Sequence, residues 1–210
     1  MGQSHDKKLT AGTVPDAPRR IASLRELRAL IAEDFATHNR KRLSPGFQML
    51  AVYRFGVWVH DHDRAWLRRL LHPIYQLLAY GAANRFGIQL PYRARLGRRV
   101  MIPYRGGIVI HPAVRIGDDC IIRQNVTIGA LGGPRHGVPK VGDRVEFGAG
   151  AVAIGPIRIG DDAIIGPNVV VRTDVPAATT VRPPTPEMRP RRSHAAARPA
   201  TSPDAEPAGG

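Results

Sequence analysis

His60 and His62 alternate with acids in the run His60-Asp61-His62-Asp63, which offers imidazole and carboxylate ligands to a divalent cation. No further ligands cluster beside them, and the run reads as an exposed turn. Cys120 is the only cysteine. A reactive thiolate needs an electropositive, partly open setting. Cys120 instead falls on an inward position of an apolar repeat and reads as a small buried hydrophobe. One cysteine excludes an intramolecular disulfide and points to a reducing compartment, taken here as the cytoplasm. Two more histidines, His111 and His136, fall within the repeats.

Those repeats position everything else. One phase in steps of six runs through Leu90, Leu96 and Ile102, then Ile110, Ile116, Ile122 and Ile128, then Val141, Phe147, Ala153, Ile159, Ile165 and Val171. Four residues after most of these stands a second small or apolar side chain, among them Ala94, Val100, Val114, Cys120, Val126, Val145, Ala151, Ile157, Ala163, Val169 and Val175. A period of six fits neither a helix nor a continuous strand. It fits short strands joined by corners, the hexapeptide β-helix pattern. No single unit buries its apolar position alone, so stacked coils share one core.

The remaining chain divides around this unit. Residues 1–20 are polar with Pro15 and Pro18 and read as a disordered tail. Residues 21–87 read as helical. Ser23 to Glu26 forms a capping box, and Leu24, Leu27, Ile31 and Phe35 share a face. Ser44-Pro45 opens a second helix with Ser44 as cap. A third runs from about Arg64 to Arg85, kinked near Pro73. Its Leu70, Leu71, Ile74, Leu77, Leu78 and Tyr80 are expected to pack on the core rather than on a membrane surface. Gly87 ends it in a left-handed conformation. Residues 88–177 form the β-helix, broken at 130–139 by a Gly/Pro-rich loop of the kind that collects binding residues in solenoids. Residues 178–210 are Pro/Ala/Arg-rich and aperiodic, a second disordered tail.

The chain has 210 residues, 43% of them hydrophobic, a net charge of +14 and a pI of about 11.2. That charge would suit an anionic partner. The cations are scattered without an RNA-binding signature, so no nucleic acid is expected, and no apolar run reaches membrane-spanning length.

Residues 24–175 resemble the serine acetyltransferase family, notably its short bacterial branch, within the hexapeptide-repeat acyltransferase superfamily. The closest motifs are Gly107-Ile108-Val109-Ile110, Ile116-Gly117-Asp118-Asp119, and the run from Ile122 through Asn125 to Gly129. Beyond the loop they are Pro139-Lys140-Val141-Gly142 and Phe147-Gly148-Ala149-Gly150-Ala151. The resemblance implies an α+β fold: an N-terminal helical cap followed by a left-handed parallel β-helix. It also implies a homotrimer or dimer of trimers, with acetyl-CoA held in grooves between subunits. The activity implied is transfer of acetyl from acetyl-CoA to a hydroxyl of serine or a related small acceptor, in cysteine biosynthesis. No metal is implied.

In such chemistry a base removes the hydroxyl proton and N–H donors hold the oxyanion. Aligned on the repeats, Tyr104 stands where the family's basic histidine belongs and Gln89 where its orienting carboxylate belongs. Pro103 and Val138 replace two further acceptor-site residues. A phenol is a poor base at neutral pH. Candidates for the catalytic role are therefore Tyr104, His111 and His136, with Arg135 clamping an acceptor carboxylate. Gly129, Ala130, Lys140, Gly148, Ala149 and Pro167 fall where the family binds its acyl donor. Small side chains there would admit the pantetheine arm, although corner geometry explains some of the glycines equally well.

One alternative stays open and another is rejected. A catalytically weakened homologue could keep CoA binding or subunit assembly alone. A zinc enzyme of the γ-carbonic anhydrase type needs three histidines, and the repeats supply only His111 and His136.

Overall fold

The computed structural model describes residues 20–132, 137–185 and 187–188. Every position of the six-residue phase, and every second small position named with it, is buried. The strands that result are two or three residues long, because a corner follows each buried pair. They stack as parallel ladders on three faces. Face A holds β1 (Ile88–Gln89), β3 (Ile108–Ile110), β6 (Thr127–Gly129), β9 (Val152–Ile154) and β12 (Val170–Val171). Face B holds β2 (Arg95–Leu96), β4 (Arg115–Ile116), β7 (Lys140–Val141) and β10 (Arg158–Ile159). Face C holds β5 (Ile121–Ile122), β8 (Glu146–Phe147), β11 (Ile164–Ile165) and β13 (Thr180–Val181). The result is a left-handed parallel β-helix behind a helical cap. Thr180 and Val181 pair with Ile164 and Ile165, so the solenoid extends past the boundary expected at 177.

The corners explain a motif that the period alone does not. In Gly97-Arg98, Gly117-Asp118, Gly142-Asp143 and Gly160-Asp161 the glycine opens the B-to-C edge. A Cβ on Gly97 would collide with the Asp118 carboxylate, one on Gly117 with that of Asp143, and one on Gly142 with that of Asp161. Each carboxylate accepts from the backbone of the coil before it: Arg98 N to Asp118 (2.8 Å), Asp118 N to Asp143 (2.8 Å) and Asp143 N to Asp161 (2.9 Å). One residue on, Arg99, Asp119, Arg144 and Asp162 all take left-handed backbone angles, with φ of 53°, 57°, 55° and 59°. That region is costly for residues with a Cβ. Here the stacked side chains alternate in sign, with bidentate Arg99–Asp119 (2.6 and 2.6 Å) and Arg144–Asp162 (2.6 and 2.8 Å) pairs.

The cap is made of α1 (Leu24–Thr37), α2 (Pro45–Asp61) and α3 (Ala65–Phe86). Ser23 Oγ accepts from Glu26 N at 3.1 Å, while Glu26 reaches back to Ala22 N at 3.0 Å, one residue beyond the usual box. Ser44, expected to cap α2, makes no side-chain cap bond, and Pro45 needs no N–H partner there. Pro73 sits inside α3 without ending it, and Gly87 closes the helix at φ 66° as expected.

The first coil presents unpaired backbone groups, the usual liability of an edge. The cap satisfies them. Tyr53 Oη donates to Ala94 O (2.8 Å) and accepts from Leu96 N (3.0 Å). His38 Nε2 accepts from Ile102 N (3.2 Å). Arg54, buried against Asp34, donates to Leu96 O (3.2 Å) and Gly97 O (2.6 Å). Arg98 pairs with Glu33 of α1.

Candidate functional site

A cleft of about 590 Å³ runs between α3 and face A. Its solenoid wall carries Gln89, Val109, His111 and Gly129, and its helical wall carries Tyr75, Gln76 and Tyr80, with Tyr92 at one end. The wall is even because strand register fixes it: Gln89 stands beside Val109, and Ile110 beside Ile128, which places His111 beside Gly129. The size suits a small-molecule ligand.

His111 is the histidine of this cleft. Its Nδ1 accepts the Ala113 backbone N–H at 3.2 Å. In the neutral ring the proton therefore sits on Nε2, which is a donor. So placed, His111 can polarise an oxygen, and it accepts a proton only if the Ala113 bond opens. Gln89 shares the cleft, so the position aligned with an orienting carboxylate and the candidate His111 are brought together. Tyr104 is 53% exposed on the turn leading into β3 and is not among the lining residues. His136 and Arg135 lie outside the described residues.

The acyl-donor positions separate into kinds. Gly129 faces open space: a Cβ there would meet nothing within 4 Å. Ala130, next to it, is exposed. Gly148 is buried, and a Cβ on it would come within 2.6 Å of Pro167 N in the next coil. Its small size thus serves coil stacking, and the same contact sets Pro167 beside the Gly148–Ala149 corner, where Ala149 O accepts from Asn168 N at 2.9 Å. Lys140 stands on face B, in register between Arg115 and Arg158. Gly129 and Ala130 on face A, Lys140 on face B and the C-to-A corner of Ala149 and Pro167 do not line one cavity of a single chain.

Two sequence readings need correcting. His60 is not an exposed turn residue: it lies within α2, half-buried, with its ring stacked 3.5 Å from that of Tyr92. Its Nδ1 contacts Gly56 O at 2.8 Å and its Nε2 contacts His72 Nδ1 at 3.0 Å. Burial lowers its pKa, helped by His72 and Arg68 and opposed by the Gly56 bond. Leu70, Ile74, Leu77, Leu78 and Tyr80 of α3 are exposed, not packed on the core. Periodicity identified an apolar face but could not see that Tyr75, Ala82 and Phe86 already supply the inner one. Cys120 is buried as expected, and burial pushes its thiol up to about 12. The cleft's helical wall escaped sequence reasoning altogether, since nothing in the repeats indicates which cap helix folds against them. Among the described residues no group of three or more His, Cys, Asp or Glu could hold a metal.

Residues 139–173 match the family model described as bacterial transferase hexapeptide (six repeats). A serine acetyltransferase of Helicobacter pylori is 35% identical over 160 residues, spanning 73% of this chain and 88% of that protein. That of Synechococcus elongatus is 37% identical over 140 residues, 65% of this chain, and the match spans only 54% of the relative's length. Among solved structures, serine acetyltransferase from Vibrio cholerae superposes with a TM-score of 0.63 at 28% identity, over 76% of this chain and 64% of that one. The Neisseria gonorrhoeae enzyme in complex with serine gives 0.62 at 26% identity, over 76% and 67%.

Proposed function

The chain belongs to the serine acetyltransferase family, and we propose that it transfers acetyl from acetyl-CoA to the hydroxyl of serine or a closely related small acceptor. The observation that carries this reading is the match along 88% of the Helicobacter pylori relative and 73% of this chain. Every relative and structure named above is a serine acetyltransferase, which favours an enzyme over a homologue kept for assembly alone.

In the proposed step a base takes the acceptor's hydroxyl proton, and the oxygen attacks the thioester carbonyl. The tetrahedral oxyanion is held by N–H donors. It collapses to the acetyl ester, and the CoA sulfur leaves with the proton. We assign the base to His136, with Arg135 holding the acceptor carboxylate, because the Ala113 bond occupies the lone pair that His111 would need. His111 is then a hydrogen-bond donor in the cleft, and Tyr104 orients the acceptor. Gly129, with open space where a Cβ would be, supports passage of the pantetheine arm beside it. Ala130, Lys140, Ala149 and Pro167 complete the donor site when further copies of the chain bring faces and corners together, as a homotrimer or a dimer of trimers. The same reading places the protein in the cytoplasm and its product in cysteine biosynthesis.

The test pairs calorimetry with acetyl-CoA and a thiol-release assay across L-serine and other hydroxyl acceptors. Binding with turnover on serine is expected. Failure to bind acetyl-CoA would defeat the donor-site assignment and the enzyme reading together. His136→Ala should lower kcat/KM by roughly 10²- to 10⁴-fold, the usual worth of a general base, and an unchanged rate removes it from the mechanism.

A further inference from the structure

We propose that α3 is an in-plane anchor that rests its outer face on an anionic phospholipid bilayer. The face is well defined. At about 3.6 residues per turn, Trp66, Leu70, Ile74 and Leu77 form one stripe on the side of α3 opposite buried Tyr75. They are 61%, 59%, 48% and 72% exposed. Tyr80, also exposed, extends the stripe along one flank. Arg69 borders the stripe on one side and Arg85 on the other, with Arg64 just ahead of the helix at its N-terminal end, while Arg68 turns toward the Tyr75 side.

The charge around this stripe selects the partner. From Arg64 to Gly117 the chain carries ten arginines and no aspartate or glutamate. Arg95, Arg98 and Arg99 of that set are paired with acids from outside it. Arg64, Arg68, Arg69 and Arg85 form no ion pair among the described residues. An apolar stripe with tryptophan and tyrosine, flanked by cations and free of acids, is the composition that lies in a headgroup interface. Each basic side chain near an anionic surface adds to that attraction. A second copy of the chain fits less well, because pairing α3 with itself sets two acid-free arginine rims against each other. No helix among the described residues is long and apolar enough to cross a membrane, so the contact is tangential.

The full chain is floated with vesicles of phosphatidylcholine alone and of phosphatidylcholine with phosphatidylglycerol. Partition onto the anionic vesicles only is expected, weakening as salt rises. Leu70→Glu with Leu77→Glu should reduce partition at least about tenfold, with the particle mass by light scattering unchanged. In the wild-type chain, brominated lipid should quench Trp66, while Trp58, 6% exposed, stays unquenched. This readout needs no variant to fold. Absence of partition onto anionic vesicles overturns the proposal. So does partition that survives the double substitution in a folded variant. A drop in particle mass in that variant assigns the face to a second copy and overturns it equally.

Discussion

Arg54 Nε lies 2.9 Å from Asp34 Oδ2, and both side chains are almost wholly buried, at 4% and 1% exposure. The same guanidinium donates to two carbonyls of the first solenoid coil, so one buried pair ties α1, α2 and the β-helix together. Removing one partner strands the other charge. Asp34→Ala should cost about 3–5 kcal/mol, read as a lowered urea midpoint with an unchanged slope. A cost within surface-substitution noise would show that the cap is held by its apolar contacts alone.

Two glycines in similar sequence settings should respond oppositely. Gly142→Ala drives a Cβ into the Asp161 carboxylate and backbone, and should destabilise by about 1–3 kcal/mol. Asp161→Ala alone loses the bond to Asp143 N, so the double variant should fall short of additivity. Gly129→Ala meets open space and should leave stability within about 0.5 kcal/mol, while weakening acetyl-CoA binding measured by calorimetry. Equal melting shifts for the two would contradict this division of labour.

The corner ladder predicts an acid limb. The Arg99 hydrogen bond holds Asp119 below the usual carboxylate range, and Arg144 does the same for Asp162. A depressed folded value means that the stabilisation is fully present above the unfolded pKa of about 4, and is lost as pH falls through the lower folded values. Arg99→Ala with Arg144→Ala should lower stability modestly above about pH 4, leave it little changed at the acid end where the carboxylates are already protonated, and so flatten stability against pH in that window. Both pairs are largely exposed, so the effect should shrink in high salt.

Cys120 should be silent. Its thiol is buried and pushed up to about 12, so thiolate is scarce at neutral pH. Labelling by a disulfide reagent should follow the unfolding rate and become immediate in denaturant. Fast labelling of the native chain would mean that the coil opens locally around it.

His60 acts with the same sign as the corner aspartates but in a higher pH window. Its folded pKa is lowered, mainly by burial, so the unfolded chain binds protons more readily below about 6.5. Stability should therefore decline as pH falls through that region, and His60→Gln should remove that slope. A slope unchanged by the substitution would place it on another group.

The six-residue phase determined the solenoid, its core and the burial of Cys120, because a stacked coil repeats one local environment and so writes it into the sequence at a fixed spacing. The capping box at Ser23 and the left-handed Gly87 were equally legible, being local backbone events. The tertiary structure alone decided what contacts between distant segments decide: that α3 turns Tyr75 inward and Trp66, Leu70 and Leu77 outward, that His60 stacks on Tyr92, that Arg54 meets Asp34, and that Gly148 serves packing while Gly129 faces a cleft. Two glycines look alike along a chain, and only the coil stacked against each one fixes whether its missing side chain makes room for protein or for a ligand.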